Sequence, residues 1–379
     1  MKFLGVSASN DWASLNPTEN PDFASVRSRL ERALSDVMLS ENLIVLTGLG
    51  TSLCLKDSNG KVLAPTMSDL WDSAKQKAGE QFESVKTKVH YSAAESGDNI
   101  EHLLSRCQMS EKLNHDPEVE KFVSETEALI VEKCRFVDAA VNLSAHEAFL
   151  RKIARRSTRL PRVELFTTNY DLSFEGAASN SRFIVIDGFS HVQPQEFDAA
   201  LFSYDLVRRK NSSELPEFVP NVFHLYKLHG SLDWERQEGR VIKEPKTKKP
   251  LIIFPRESKF ESSYDQPFLE LMARFQSGLR EANTGLLIIG YGFNDHHITQ
   301  PILSAIRSNI GLKAIIVDPA AEQSTNSILR SARDLVSNGD TRVSLAAVDF
   351  EQLVTFVPDL VAATEEETHL DRVRKIQAG

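Results

Sequence analysis

Asn42-Leu43-Ile44-Val45-Leu46-Thr47-Gly48-Leu49-Gly50-Thr51-Ser52 is the stretch whose reading decides the fold. Its four successive aliphatic residues, 43–46, offer no polar face. A run this short and continuous fits a parallel strand covered on both sides. It stops at two glycines one residue apart, where the absence of Cβ lets the chain turn sharply and lets backbone N–H groups approach a pyrophosphate. Similar runs recur at residues 163–167, 183–186, 222–228, 286–291, 314–317 and 343–348. Helical spacing lies between or before them, as in residues 23–39, where Val26, Leu30, Ala33, Leu34 and Val37 share one face. The expected fold is α/β: a Rossmann-like, doubly wound, mainly parallel sheet with a helical insertion or small subdomain.

The stretch between the first strand and residue 163 is too long for one crossover helix, so a helical insertion is expected over about residues 70–155. The irregular, proline-containing stretch 187–221 and the Lys/Glu-rich stretch 236–250 place a lid or small subdomain at about residues 187–260, the latter stretch as an exposed hairpin or loop. The expected organisation is an N-terminal helical segment over 1–40, a Rossmann domain over 41–360, and a polar tail or helix over 361–379.

The chain has 379 residues, 41% hydrophobic and 26% charged, enough for a substantial core. Its net charge of −9 does not suggest a broad basic face, so direct, tight nucleic-acid binding is not expected. Cys54, Cys107 and Cys134 form no C-x-x-C pair, which excludes a disulfide framework and a cysteine-rich zinc ribbon and fits a reducing cytoplasm. No segment approaches the roughly 20 apolar residues of a membrane span, and the amino terminus has no cleavable apolar region, so no membrane association is expected.

Polar residues gather where the strands end. Gly48 and Gly50 suit a nucleotide turn, although Leu53 stands where a third glycine would complete G-x-G-x-x-G, and a tight turn alone also explains them. Thr167-Thr168-Asn169-Tyr170-Asp171 places Asn169 at the carboxyl edge. There an amide can hold ribose hydroxyls and position a water, or Asn169 or Asp171 can cap the next helix. Lys227-Leu228-His229-Gly230-Ser231 ends another strand in an imidazole, a general base at neutral pH or a structural histidine bonded to backbone. Gly290-Tyr291-Gly292-Phe293-Asn294-Asp295 supplies a second glycine turn. Asp318 can accept from ribose hydroxyls or open a turn with Pro319. His296 and His297 are adjacent, diverge on a helix and lack a third ligand nearby in sequence, so no metal site is expected.

Taken in order, G-L-G-T-S (48–52), T-T-N-Y-D (167–171), K-L-H-G-S (227–231), G-Y-G-F-N-D (290–295) and I-V-D (316–318) resemble the sirtuin-like superfamily over roughly residues 42–350. The wording is most similar to bacterial sirtuin-like NADases of anti-phage defence, including those encoded beside a HerA-like ATPase translocase. The resemblance implies Asn169 and His229 as catalytic residues. It implies Gly48, Gly50, Ser52, Thr168, Asp171, Gly290, Gly292 and Asp318 as the residues that bind NAD+, here the substrate. It also implies hydrolysis to nicotinamide and ADP-ribose, control by assembly, homo-oligomers, and a ring-shaped HerA-like hexameric ATPase as partner. Deacylases of the superfamily usually carry a four-cysteine zinc module that three scattered cysteines cannot supply, so deacetylation is disfavoured and no zinc is expected.

Three rival readings remain at this point. A non-catalytic sensor of NAD or ADP-ribose needs the glycine turns but not His229. A nuclease subunit or DNA-binding scaffold needs an acidic metal cluster, which the sequence does not display. A dehydrogenase sits poorly with the missing third glycine.

Overall fold

The structure is a computed structural model that describes residues 1–7, 10–92, 97–209, 217–255 and 265–360. The chain opens with β1 (Lys2–Leu4), β2 (Ala13–Ser14), α1 (Phe23–Met38) and β3 (Asn42–Thr47). A helical block follows: α2 (Met67–Ala78), α3 (Gln81–Lys88), α4 (Ile100–Leu113), α5 (Pro117–Cys134) and α6 (Ser144–Ala154). The middle of the chain holds β4 (Glu164–Thr167), α7 (Ser173–Asn180), β5 (Ile184–Ile186), β6 (Val207–Arg208), β7 (Glu217–Phe218), β8 (Val222–Lys227), β9 (Trp234–Gln237) and β10 (Arg240–Lys243). The last part runs through α8 (Phe268–Gly278), β11 (Thr284–Ile289), α9 (His296–Ser308), β12 (Lys313–Val317), α10 (Ser327–Ser337), β13 (Val343–Ala347) and α11 (Phe350–Phe356).

Nine strands form one sheet in the order β2-β1-β13-β12-β11-β3-β4-β8-β5. From β13 to β5 every pairing is parallel, whereas β1 and β2 join antiparallel at the β13 edge. The doubly wound, Rossmann-like fold expected from the apolar runs is the fold observed. Alternation decides which side chain meets which layer. Leu287 and Ile289 of β11 join Val45, Leu165 and Phe223 under α1, α6, α7 and α11, while Leu286 and Ile288 join Ile44, Leu46 and Phe166 under α8, α9 and α10.

Core membership divides the helical stretch expected at about 70–155. Helices α2–α5 have their own core, built on Trp71, Phe82, Val85, Leu103, Leu104 and Phe122. By contrast α6 packs on the sheet through Phe149, Leu150 and Ile153. The stretch at about 187–260 is likewise not one unit. The main-sheet strand β8 passes through it, the β9–β10 hairpin is separate, and Phe189, Phe202 and Trp234 join the core on the α8–α10 side. Residues 210–216 and 256–260 of this stretch lie outside the described residues, as does the expected tail 361–379. The first 40 residues, expected to be helical, also supply β1 and β2. The three-residue Lys2–Leu4 strand is too short to show a period and takes its conformation from pairing with β13. Among the described residues no helix is long and apolar enough to cross a membrane.

One buried group in the α6–α7–α11 layer has a measurable consequence. His146 is fully buried with its ring 5.1 Å from that of Phe174 and 4.9 Å from that of Phe350. Among the described residues neither ring nitrogen finds a hydrogen-bond partner. Burial pushes its pKa down to about 4, against a smaller opposing pull from Asp171. The unfolded chain therefore takes a proton below about pH 6.5 that the folded chain refuses until about pH 4. Stability is expected to fall across that window, with His146 contributing at most about 3 kcal/mol. His224, half-buried and lowered to about 4 by desolvation, adds to the same trend. Urea unfolding at pH 7.5, 5.5 and 4.5 should show a shallower acid loss for His146→Leu than for the wild type.

Candidate functional site

The parallel strands end along one edge, and the order of the sheet reverses direction between β3 and β11, so that the connections leave on opposite sides. Open α/β sheets bind ligands in the crevice outside the carboxyl ends at such a point. Here the two turns that flank it are packed backbone against backbone. Gly48 N donates to Ile289 O at 3.1 Å and Gly50 N to Gly290 O at 3.0 Å. A Cβ on Gly50 would lie 2.5 Å from Gly290 Cα, and one on Gly48 would lie 2.7 Å from Gly290 O. Neither position has room for a Cβ, which fits the tight-turn reading of these glycines. Their N–H groups are engaged within the fold.

On the β4–β8 side of the turn lies a cavity of about 130 Å³ whose wall includes Thr168, Asn169, Asp171, His229 and Asp295. Its other wall is apolar, formed by Leu49, Pro65, Met67, Leu70, Phe136 and Pro255 with Cys134. The roof is set by a capping box at the start of α2. Thr66 Oγ1 accepts from Asp69 N and Asp69 Oδ2 accepts from Thr66 N, which fixes the neighbours Pro65 and Met67. Burial pushes the Cys134 thiol up to about 12, so it stays protonated.

Asn169 is held by its amide nitrogen. Nδ2 donates to Gly48 O at 3.0 Å, to Ser52 Oγ at 3.0 Å and approaches Thr51 Oγ1 at 3.3 Å. Because Gly48 O can only accept, the amide orientation is defined. Among the described residues no donor bonds Oδ1, which is left to face a ligand or water. Ser52 in turn donates to Asp171 Oδ2 at 2.8 Å, and Ser173 donates to Asp171 Oδ1 through N at 3.0 Å and Oγ at 2.5 Å. Ser52 is fully buried and both Asp171 oxygens accept hydrogen bonds, so the pair braces Asn169.

His229 is buried at the end of β8, and its carbonyl accepts from Ile253 N at 2.9 Å. Its ring lies 5.6 Å from that of His297 at the start of α9. The sequence reading set His297 aside because adjacent histidines diverge. Divergence is what sends His297 toward His229, and only the tertiary packing of α9 reveals it. Two residues before His229, the buried Lys227 donates to the carbonyls of Tyr170 at 3.2 Å and Asp171 at 2.5 Å and pairs with Glu175 at 2.9 Å. One ammonium thus ties the strand end carrying His229 to the loop carrying Asn169.

On the other side of the turn a cavity of about 490 Å³ is lined by Gly50, Gly290, Gly292 and Asp318, with Leu53, Cys54 and Phe350. Asp318 accepts from Ala320 N at 2.7 Å, opening the turn, and it also lines the cavity, where burial raises its pKa. Gly48 lines neither cavity. Among the described residues no group of three or more His, Cys, Asp or Glu is placed to hold a metal ion.

A family model described as the SIR2-like domain matches residues 163–335. Solved structures with a similar arrangement include a Sir2 homologue–NAD complex, at 16% identity and a TM-score of 0.40 over 90% of this chain and 94% of that one. A structure from work on the mechanism and regulation of Sir2 enzymes has 13% identity and a TM-score of 0.38 over 91% and 98%. A cytosolic 5'-nucleotidase IIIB bound to cytidine has 8% identity and a TM-score of 0.32 over 97% and 100%. These superpositions are loose, and the strand order carries the fold. No curated protein sequence matches the chain.

The matched segment contains Asn169, Lys227, His229, Gly290 and Asp318 and begins after the helical insertion, so the Leu49 turn and the α2 roof come from outside it. Within it the buried Lys227 pairs with the half-buried Glu175 where the two strand-end loops meet. Burial raises the Glu175 pKa and Lys227 opposes that rise. Lys227→Met removes the countercharge and the donor shared by the Tyr170 and Asp171 carbonyls and the Glu175 carboxylate, and is expected to destabilise the chain by about 3–5 kcal/mol. Adding Glu175→Gln should recover a substantial part of the loss in urea unfolding, and an additive double mutant would exclude the coupling.

Proposed function

We propose that the chain is an NAD+ glycohydrolase that cleaves the bond between nicotinamide and ribose. The observation that carries this reading is that Asn169 and His229, from different strands, line one small cavity that adjoins the larger cavity of Gly290, Gly292 and Asp318 across Leu49. A nucleotide half suits the larger cavity, and the reacting ribose suits the smaller.

In this reading the C–N bond breaks with its electron pair passing to the pyridinium nitrogen, so nicotinamide departs neutral and needs no acid. The positive charge left on the ribose is met by water at C1′, whose oxygen forms the new bond. His229 accepts the proton that this water gives up, and Asn169 Oδ1 holds the water or a ribose hydroxyl in line. The products are nicotinamide and ADP-ribose. The apolar wall of Leu49, Pro65, Met67 and Phe136 excludes bulk water from the charged intermediate.

The motif resemblance supports a role in anti-phage defence by NAD+ depletion in the cytoplasm, held silent until assembly with further copies of the chain or with a HerA-like ATPase. Chromatography of NAD+ incubated with the wild type, Asn169→Ala and His229→Ala, each alone and with the products of neighbouring genes, tests the reading. Nicotinamide and ADP-ribose are expected from the wild type, with losses of about 10²-fold or more in each variant. Intact NAD+ in every assembled condition, with binding retained, would instead identify a non-catalytic sensor. Metal-dependent DNA cleavage would identify a nuclease subunit.

A further inference from the structure

Leu49 is the residue that lines both cavities of the site. The larger, about 490 Å³, lies within the range of roughly 300–1,000 Å³ typical of ligand pockets, and the smaller, about 130 Å³, lies below it. A ligand reaching from Asp318 to His229 must therefore cross Leu49 and enlarge the space beyond it.

The turn itself is poorly placed to move. Gly48 and Gly50 are each hydrogen-bonded to the β11 end and packed against Gly290 with no room for a Cβ. Thr51 N donates back to Gly48 O at 3.1 Å, Thr51 Oγ1 donates to the same oxygen at 2.9 Å, and Ser52 N donates to Leu49 O at 2.9 Å. Asn169 adds a further bond to Gly48 O. Displacing the backbone would break this set together. The Leu49 side chain is only half-buried, and rotating it between staggered positions breaks none of these bonds.

We propose that Leu49 is a specificity-determining residue that separates dinucleotides from mononucleotides. A mononucleotide occupies the larger cavity alone. A dinucleotide joins the two cavities by displacing the Leu49 side chain, and only then does its second ribose meet Asn169 and His229. The inference rests on the NAD+ reading in taking NAD+ as the dinucleotide, but it concerns binding and not cleavage.

Calorimetry on the full chain tests it, with AMP as the mononucleotide and carba-NAD+, whose second ribose lacks the ring oxygen and resists cleavage, as the dinucleotide. The ratio of the carba-NAD+ Kd to the AMP Kd should fall about threefold or more in Leu49→Ala and rise about tenfold or more in Leu49→Trp. Using the ratio cancels any effect on the larger cavity that both ligands share, and Leu49→Ala keeps the test open if the tryptophan variant does not fold. A ratio that stays within about twofold of the wild type in Leu49→Ala, or that moves the same way in both variants, overturns the assignment, as does a wild type that binds neither ligand. Nicotinamide release from NAD+ is scored separately, for the chain alone and assembled with the products of neighbouring genes. An opposite shift of the ratios without release overturns the hydrolase and keeps the Leu49 assignment; release with unmoved ratios does the reverse.

Discussion

The contact between the Gly48–Gly50 turn and Gly290 sets the geometry of everything around it. Two strand ends at the reversal of the sheet meet main chain to main chain, and no side chain stands between them. Because β3 is thereby registered against β11, Gly48 O is fixed as an acceptor, and the Asn169 amide is built onto it from the neighbouring strand end. Ser52 and Asp171 then complete a chain of bonds with alternating donors and acceptors, each member oriented by the next. The polar wall of the small cavity follows from a backbone contact that contains no catalytic atom.

Beneath that edge the fold places charge where water cannot reach it. The Lys227 ammonium accounts for its burial by bonding two carbonyls and a carboxylate, so it is a joint between loops as much as an ion pair. The contrast with His146 is instructive. That imidazole sits among aromatic rings without a hydrogen-bond partner and tolerates burial by remaining neutral. One group is met by acceptors and the other is kept uncharged by burial.

The parts of the fold legible in the sequence are those where local pattern and burial agree. Strands covered on both faces read as unbroken apolar runs, and β3, β11 and β12 were visible for that reason. Lys2–Leu4 was not, because its pairing with β13 comes from the far end of the chain. The site was legible as a set of positions, since parallel strands deliver whatever follows them to one edge. The role of each residue was less so. Ser52 reads the same whether its hydroxyl meets a ligand or Asp171, and Gly50 reads the same whether its amide is open or bonded to Gly290 O. His297 and Leu49 needed the packing itself, because no local pattern says which wall a side chain will share.

The helical block over the site has its own hydrophobic core and leans on the carboxyl edge of the sheet through Tyr170 and Phe254. Floor and ceiling of the small cavity therefore draw their stability from different sets of contacts. Substitutions in sets that share no partners combine almost independently. The ceiling can therefore change shape by substitutions in its own core, while the strand ends below keep the spacing set by the Gly50–Gly290 contact.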